Sequence, residues 1–518
     1  MRRIIICLML IGTLASSAMA QSRKIEKVMQ LNRRSSGYIM EKDKLVGYYA
    51  FYKKDNVDKK TASFQLDLLD DNLGLVKSID IQRPKNASLL EMEYNGKAFM
   101  MSFFDGKKAI DYLSYDVTGK KLGETRDEEI PTMERMMISQ GQQQDGFEYS
   151  SIMPRGETGF IRQSYTKNNK LGYEIQCYDN NLKTLWNYGS DPKSDLLEAA
   201  NLLYSSADIV IAHVVKKKGM MTRKEDTYVL IVDGNTGKRI MEKSMQDLSD
   251  LSLLSCSVDE EKKEIILSGE YYAAGDDQSN SKSVGLYFMT LDMTGAQKNF
   301  KKLSWAMDLA KVKTPDSEDK KDKNPTNPWI YWHSIERMKN GHYYAIGEQF
   351  KKTVSAMGVA SMMLAGRNGA AAMSIHVYNM VVLEFDDKFS LLNYQSIDKK
   401  KTEVLLPPGS SAVSTAVLGK FVKAKGGFDF EFITRDREKD AFYAVYRDWN
   451  NKDDEGKKTG NQIGTITFEN GKLSTTKFPI TTSGSSARLS PAKPGYVAVT
   501  EYFRKTKTME FRLEKLNY

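Results

Sequence analysis

The chain of 518 residues has few of the side chains that most often carry metal or redox chemistry, with three cysteines and four histidines. Cys7 lies in the apolar run from Ile4 to Leu14, which leaves Cys177 and Cys256 within the strand-like runs EIQCY and LLSCSV. Cysteines in such settings act as small buried hydrophobes. These two fall in different repeats, so they are not expected to pair, and no cysteine-based metal signature occurs. After the first twenty residues there is no uninterrupted apolar run of about eighteen, so no transmembrane segment is expected. Long amphipathic helical patterns are missing, as are a nucleophile elbow, a P-loop and a metalloprotease helix motif. Catalytic residues therefore remain unknown, and no cofactor is expected. Nor is charge of one sign in large excess. The formal charge is +9, or +7 without Arg2 and Arg3, with acids and bases interleaved. That pattern describes a solvated surface. With export, and with no recognition module, it argues against nucleic acid as a partner.

What is present begins with a leader. Arg2 and Arg3 precede the apolar run, and Ala18-Met19-Ala20 forms a small-x-small site before Gln21. This is the pattern of a secretory signal cleaved near Ala20. An exported protein, periplasmic or extracellular and soluble after cleavage, is expected. Residues 1–20 read as the signal and 21–518 as one β-propeller domain with inserted loops at 303–329 and 351–374.

The propeller reading rests on an internal repeat. Each repeat has a strand, a tight turn, a strongly apolar second strand, a variable loop, then a third strand ending in an acid. The second strands are LVGYYAFY from Leu45, KAFMMSFF from Lys97, TGFIRQSY from Thr158 and ADIVIAHVV from Ala207. KEIILSGEYY from Lys263, HYYAIGEQF from His342, GFDFEFITR from Gly427 and GYVAVTEYF from Gly495 complete eight. Period-two alternation with aromatic and β-branched enrichment marks strands, and Asn95-Gly96, Asn340-Gly341, Gly426-Gly427 and Pro494-Gly495 supply hairpin turns. Acids such as Asp70, Asp116, Asp179, Asp233, Asp292 and Asp386 end third strands just before turn residues. An Asp there bonds its own turn backbone, so these acids read as structural. The fold class is all-β, a propeller of four-stranded antiparallel blades. Eight blades are favoured over seven, with the segment from Lys24 to Leu31 supplying the fourth strand of the last blade and so removing exposed edges. A monomer is expected.

These repeats, the Met-Ala signal junction and the Lys/Asn/Tyr-rich style resemble uncharacterised exported β-propeller proteins of Bacteroidota. The resemblance implies fold and location, not an activity. The Trp-Asp signature of WD40 blades, the paired glycines of kelch repeats and the Asp-box of sialidases are lacking.

In four-stranded meanders the second-to-third loops and the blade connections share one side, and here they are long: 53–61, 216–225 and 351–374, with 123–146, 303–329 and 398–415. Long loops on a rigid scaffold are where binding is built. That side is also basic. Its candidate binding residues are Lys53 and Lys54, then Lys216, Lys217, Lys218 and Arg223, then Lys351 and Lys352, then Arg435, Arg437, Arg504 and Lys505. Such charges attract an acidic glycan or an acidic envelope protein. Between Val354 and Ser374 the chain reads VSAMGVASMMLAGRNGAAAMS, whose Met357, Met362 and Met363 suit either a partner groove or an internal plug.

His333, Glu348 and His376 form a candidate polar cluster if register puts them on one face. No metal is expected, since zinc sites take three or four convergent ligands. Glu270, Glu348 and Glu501 recur in GEYY, GEQF and TEYF, which marks a shared structural role. The functional expectation is a binding or scaffold protein of the periplasm or cell envelope, with ligand or partner on the loop-rich basic face. The alternative is a glycoside hydrolase or lyase acting on an acidic glycan through paired carboxylates.

Overall fold

Alternating apolar runs of seven to thirteen residues, broken by Asp- and Gly-containing turns, fold as antiparallel strands throughout. The computed structural model describes residues 21–31, 36–41, 44–143, 151–166, 172–219, 226–244, 251–276, 281, 283–309, 329–354, 373–405, 418–419, 422–423, 426–450, 460–480, 482 and 486–516. Its strands form eight sheets of four antiparallel strands in meander order, one with a fifth strand added. The architecture is a β-propeller with eight blades. The apolar insertion from Val354 to Ser374, with Met357, Met362 and Met363, falls almost wholly outside the described residues, as does Arg223.

Contacts divide the chain into two compact units, Met1–Asn86 with Thr481–Tyr518, and Ala87–Ile480. In the first unit, β2 (Ser36–Glu41), β3 (Lys44–Asn56), β4 (Thr61–Asp70) and β5 (Leu75–Pro84) form one sheet. Strands β31 (Ser486–Pro491), β32 (Tyr496–Phe503) and β33 (Thr508–Lys515) form the other, which β1 (Ser22–Ile25) completes at the edge of β33. The closing strand therefore precedes the expected one. Residues 28–30 leave it and bond the backbone of Lys507 and Lys53 instead, tying the two sheets together. Ile25 and Val28 are buried with Tyr48, Met509 and Phe511.

The second unit holds six sheets: β6–β9 within residues 88–127, β10–β13 within 152–189, β14–β17 within 197–244, β18–β21 within 251–304, β22–β25 within 329–397 and β27–β30 within 430–479. Second strands are buried on both faces, as in β7 (Ala98–Phe104), because successive sheets stack face to face and share apolar clusters. Fourth strands such as β30 (Lys472–Pro479) carry only exposed and half-buried residues. Helix α1 (Thr132–Gln143), absent from the strand-only reading, occupies the connection after the sheet β6–β9 and buries Ile138.

One repeat departs from its sequence reading. GFDFEFITR supplies the first strand β27 (Phe430–Asp436), and the second is β28 (Ala441–Asn450). Both runs alternate alike, so periodicity alone did not separate them. The doublet Gly426-Gly427 closes a helical turn onto Lys423 and Val422, with Gly426 at φ +61, and is not a hairpin. Arg435 and Arg437 therefore lie at a first-to-second turn, not at a second-to-third loop.

The acids that end the third strands do what a turn-capping Asp does. Asp233 accepts the backbone N–H of Asn235 at 3.0 Å and of Thr236 at 2.7 Å, and Asp292 those of Thr294 and Ala296 at 2.9 and 3.0 Å. Threonine hydroxyl and backbone N–H donors hold both carboxyls below the ordinary range.

Truncating Ile25 to Ala should cost about 3 kcal/mol in denaturant unfolding, as for a buried aliphatic side chain. Deleting residues 21–31 should lower the melting temperature by many degrees, because the edge of β33 is then left open. Unchanged stability in the deletion would show that the terminal strand closes nothing.

Candidate binding site

A site with a defined cavity lies in the second unit, where strand ends from two neighbouring sheets converge. The sheet β10–β13 contributes β12 (Tyr173–Asp179) and β13 (Thr184–Gly189). The next sheet contributes β14 (Leu197–Ser205), β15 (Ile209–Lys217), β16 (Asp226–Asp233) and β17 (Arg239–Ser244). A cleft of about 660 Å³ opens between them, lined by Tyr173, Tyr188, Ser190, Lys216, Arg239 and Glu242 among others. Gly189 ends β13 because a Cβ there would sit 2.8 Å from the carbonyl oxygen of Tyr173. The connection that follows is tied down locally. Ser190 N–H bonds the Tyr173 carbonyl at 3.0 Å, and Asp191 accepts the Lys193 N–H at 2.8 Å.

Charge in the cleft is internally balanced. Register places Lys216 opposite Glu198 on β14, and Glu242 reaches it from β17. The ammonium lies 2.5 Å from Glu242, 3.7 Å from Glu198 and 4.7 Å above the Tyr228 ring centroid. Burial works against this charge, but the bond to Glu242 and the nearby carboxylates outweigh it and raise the Lys216 pKa. Arg239 binds Glu242 at 3.0 Å and also bonds the Tyr188 hydroxyl. Tyr173 and Tyr188 line the cleft side by side, and burial raises both phenols. The result is a wall of hydroxyls, aromatic faces and shared charges. That composition suits a ligand rich in hydroxyl groups, held by hydrogen bonds and ring contact.

A second polar constellation is sealed in the core. Strand β22 (Trp329–Arg337) pairs with β23 (Tyr343–Val354), and the register slips between Trp332 and Ser334, so His333 is the extra residue of a bulge. Opposite it, a Cβ on Gly347 would meet the Tyr331 carbonyl at 2.7 Å and the Trp332 ring at 2.8 Å. His333 Nε2 lies 2.9 Å from Glu348, and its ring stacks on Phe430 at 4.4 Å. Both side chains are fully buried. Glu348 also accepts the backbone N–H of Asp429 and Phe430, at 3.1 and 3.0 Å, from the edge of the next sheet. Lys399 sits 3.2 Å from Glu348 and 2.5 Å from Asp429, which in turn accepts the Thr402 hydroxyl at 2.8 Å.

Burial holds His333 down to about 4, so it is neutral and donates its Nε2–H to Glu348. Burial opposes the Glu348 charge, yet His333, Lys399 and the backbone donors keep that carboxyl low. Asp429 moves the other way, pushed up by burial and by the Glu348 charge despite its contact with Lys399.

A family profile matches residues 1–517. The chain belongs to DUF6770, a family of unknown function. Among curated proteins nothing matches. Of solved structures, prolyl oligopeptidase B from Galerina marginata is similar at 9% identity, over 91% of this chain and 55% of that one, with a TM-score of 0.40. The DUF6770 chain thus spans about half the length of that relative. A protein of unknown function from Bacteroides caccae is similar at 10% identity, over 68% and 94% of the two chains, with a TM-score of 0.24. The quinohemoprotein alcohol dehydrogenase of Comamonas testosteroni is similar at 9% identity, over 84% and 78%, with a TM-score of 0.37.

Within this DUF6770 chain the sequence-selected residues scatter. Lys53, Lys54, Arg504 and Lys505 belong to the first unit, the lysines near the end of β3 and Arg504 and Lys505 in the turn after β32. Lys216 lines the cleft, with Lys217 and Lys218 following it out of β15. Lys351 and Lys352 lie on β23, where Lys351 pairs with His376. His376 faces Glu403 at 3.6 Å and Lys401 at 3.3 Å instead of joining His333 and Glu348. The cause is a second slip, between Glu348 and Phe350, which carries β23 and β24 (Met373–Phe385) into a long arm joined by β26 (Thr402–Leu405). Arg435 bonds the Arg337 carbonyl at 2.6 Å and Asp440 at 2.8 Å, so it is spent on holding turns together. Among the described residues no group of three His, Cys, Asp or Glu is placed to hold a metal, and no helix is long and apolar enough to cross a membrane. Sequence reasoning missed Tyr173, Tyr188, Arg239 and Glu242, whose strand ends meet through sheet stacking and carry no shared motif.

The buried cluster generates a prediction with opposed signs. Unfolded, His333 protonates near 6.5, whereas folded it refuses the proton down to about 4. Its contribution to stability is therefore full above 6.5 and lost as pH falls toward 4, up to about 3 kcal/mol. Asp429, raised above its ordinary 3.8, takes its proton first in the folded state, so acidification there favours folding. The two effects oppose each other in the wild type. Asp429→Asn should steepen the loss of melting temperature between pH 6.5 and 4, and His333→Gln should flatten or reverse it. Identical slopes in both variants would refute these roles.

Proposed function

We propose that this chain is an exported binding or scaffold protein of the periplasm or cell envelope, and that its ligand docks beside the long loops of the second unit. The leader-like first twenty residues support export. The observation that carries binding is the cleft itself, a preformed polar cavity of about 660 Å³ beside Lys216 and the connection from Gly189 to Leu196. Tyr188 and Arg239 present ring and guanidinium to it, while Lys216 and Arg239 together balance Glu198 and Glu242. An oligosaccharide is the ligand class this wall suits, since hydroxyls pair with its side-chain donors and acceptors and sugar rings with tyrosine faces.

The wall supports retention over turnover. Glu198 and Glu242 share one ammonium, which leaves neither set apart as an acid beside a base. Screening the protein against neutral and acidic oligosaccharides, with product detection, should give retention without cleavage. Tyr188→Ala with Arg239→Ala should weaken retention at least tenfold and leave the melting temperature within a few degrees. Released products would reverse the reading in favour of a glycan hydrolase or lyase. Unaltered retention in the double variant would remove the cleft from it.

A further inference from the structure

The first unit carries a surface of a different kind. The end of its strand β3 and the loop that follows read KKDNVDKK from Lys53, with four lysines and two acids in eight residues. Those acids are turned onto backbone. Asp58 accepts the N–H of Lys60 at 2.6 Å and of Thr61 at 2.7 Å, and Asp55 that of Asn56 at 2.7 Å. Among the described residues, Lys54, Lys59 and Lys60 make no ion pair. The turn after β32 adds Arg504, Lys505 and Lys507, all exposed.

Hydrogen bonds string these segments together. The Val28 N–H bonds the Lys507 carbonyl at 2.8 Å, and the Met29 N–H bonds the Lys53 carbonyl at 2.8 Å. Lys53 Nζ reaches the Lys85 carbonyl at 3.3 Å, and the Lys85 N–H bonds the Lys60 carbonyl at 2.7 Å. The N-terminal segment bearing Lys27 is the bridge between the two loops. Cations from 27, 53–60, 85 and 504–507 thus follow one continuous path over a closure that noncovalent contacts alone hold shut.

We propose that this path binds a linear anionic polysaccharide, which clamps the N-terminal strand in place. Three features favour a charged polymer. The cations are mostly lysines, point charges without the fixed fork that selects one anion geometry. They stand at the end of β3 and on turns tied to it one after another, so repeated charges on a chain can meet them in succession. Asn56, Gln30 and Thr506 lie among them, able to bond hydroxyls. A membrane would call for an amphipathic apolar face, whereas the large exposed apolar side chains here are Val57 and Met29. A protein partner would call for aromatic anchors at the centre of the patch.

A ligand that spans the bridge binds the folded state and not the open one, so it must raise the melting temperature by mass action. The probe is alginate, a polyuronate, with neutral dextran as control. Alginate should bind at low salt, raise the melting temperature by several degrees, and lose on the order of tenfold in affinity as salt screens the charges. Lys59→Gln, Lys60→Gln, Lys505→Gln and Lys507→Gln combined should abolish both binding and shift. Removing the exposed Lys107, Lys108, Lys120 and Lys472 in the same way should leave both in place. Equal loss in that control set would reduce the effect to net charge and overturn the proposal. So would binding without a thermal shift, or tighter binding to anionic phospholipid vesicles than to alginate. The cleft belongs to the other unit, so its variants Tyr188→Ala and Arg239→Ala should leave alginate binding untouched, and either site can fail alone.

Discussion

A sheet of four strands ends in an edge, and stacked blades must satisfy the backbone donors of that edge without water. In the second unit buried glutamates do this. Glu91 accepts the N–H groups of Ser151 and Ile152 at 2.9 and 3.2 Å, both at the start of the next sheet. Glu348 takes those of Asp429 and Phe430, while Glu270, equally buried, accepts the Tyr272 hydroxyl at 3.1 Å. Glu348, held ionised by its donors, gives up hydration and is repaid by charge-assisted bonds in the interface, where an unmet N–H is costly. The joint between neighbouring blades therefore depends on placing an acid where apolar packing would otherwise be uniform.

Placement of that acid requires a local break in the ladder. Ahead of both Glu270 and Glu348 stands a glycine, and in each case the paired first strand bulges, between Leu253 and Ser255 and between Trp332 and Ser334. A Cβ on Gly269 would overlap the Ser252 carbonyl at 1.9 Å, so glycine is what lets the backbone close in. Where Thr500 replaces the glycine, in TEYF, β31 and β32 pair without a bulge, and Glu501 is ion-paired with Arg512. Glu270 shows the cost most plainly, since burial pushes its pKa up to about 8 despite the hydroxyl and N–H donors around it.

Much of the fold was legible because its rules are local. Period-two alternation located seven of the eight second strands, and the third-strand aspartates announced their turns, as Asp233 and Asp292 do. The seventh repeat failed because β27 and β28 alternate equally well, and a glycine doublet that closes a helical turn looks like a hairpin. The terminal strand was sensed but displaced, since Ser22–Ile25 is too short and polar to declare itself. Site residues were harder. His333 and Glu348 could be brought together by counting along a hairpin, while the bulges that shift the count gave no signal by which to exclude His376. Tyr188 and Arg239 meet only because two sheets stack, which no spacing within either sheet encodes.

The same mechanics decide where recognition can reside. First-to-second turns are short and spend their charges on one another, as Arg435 does with Asp440 and the Arg337 carbonyl. A cation so engaged has little left for a ligand, and displacing it would loosen two sheets at once. At the opposite strand ends the ladders are finished, and connections such as 190–196 bond largely to themselves. Residues there can vary in length and charge without unsettling a glutamate clip. Lys216 shows the boundary between the two regimes, since its stem continues β15 beside Tyr228 while its ammonium faces the cleft. The proposed binding role falls to the strand ends because the blade interiors are already committed to holding one another.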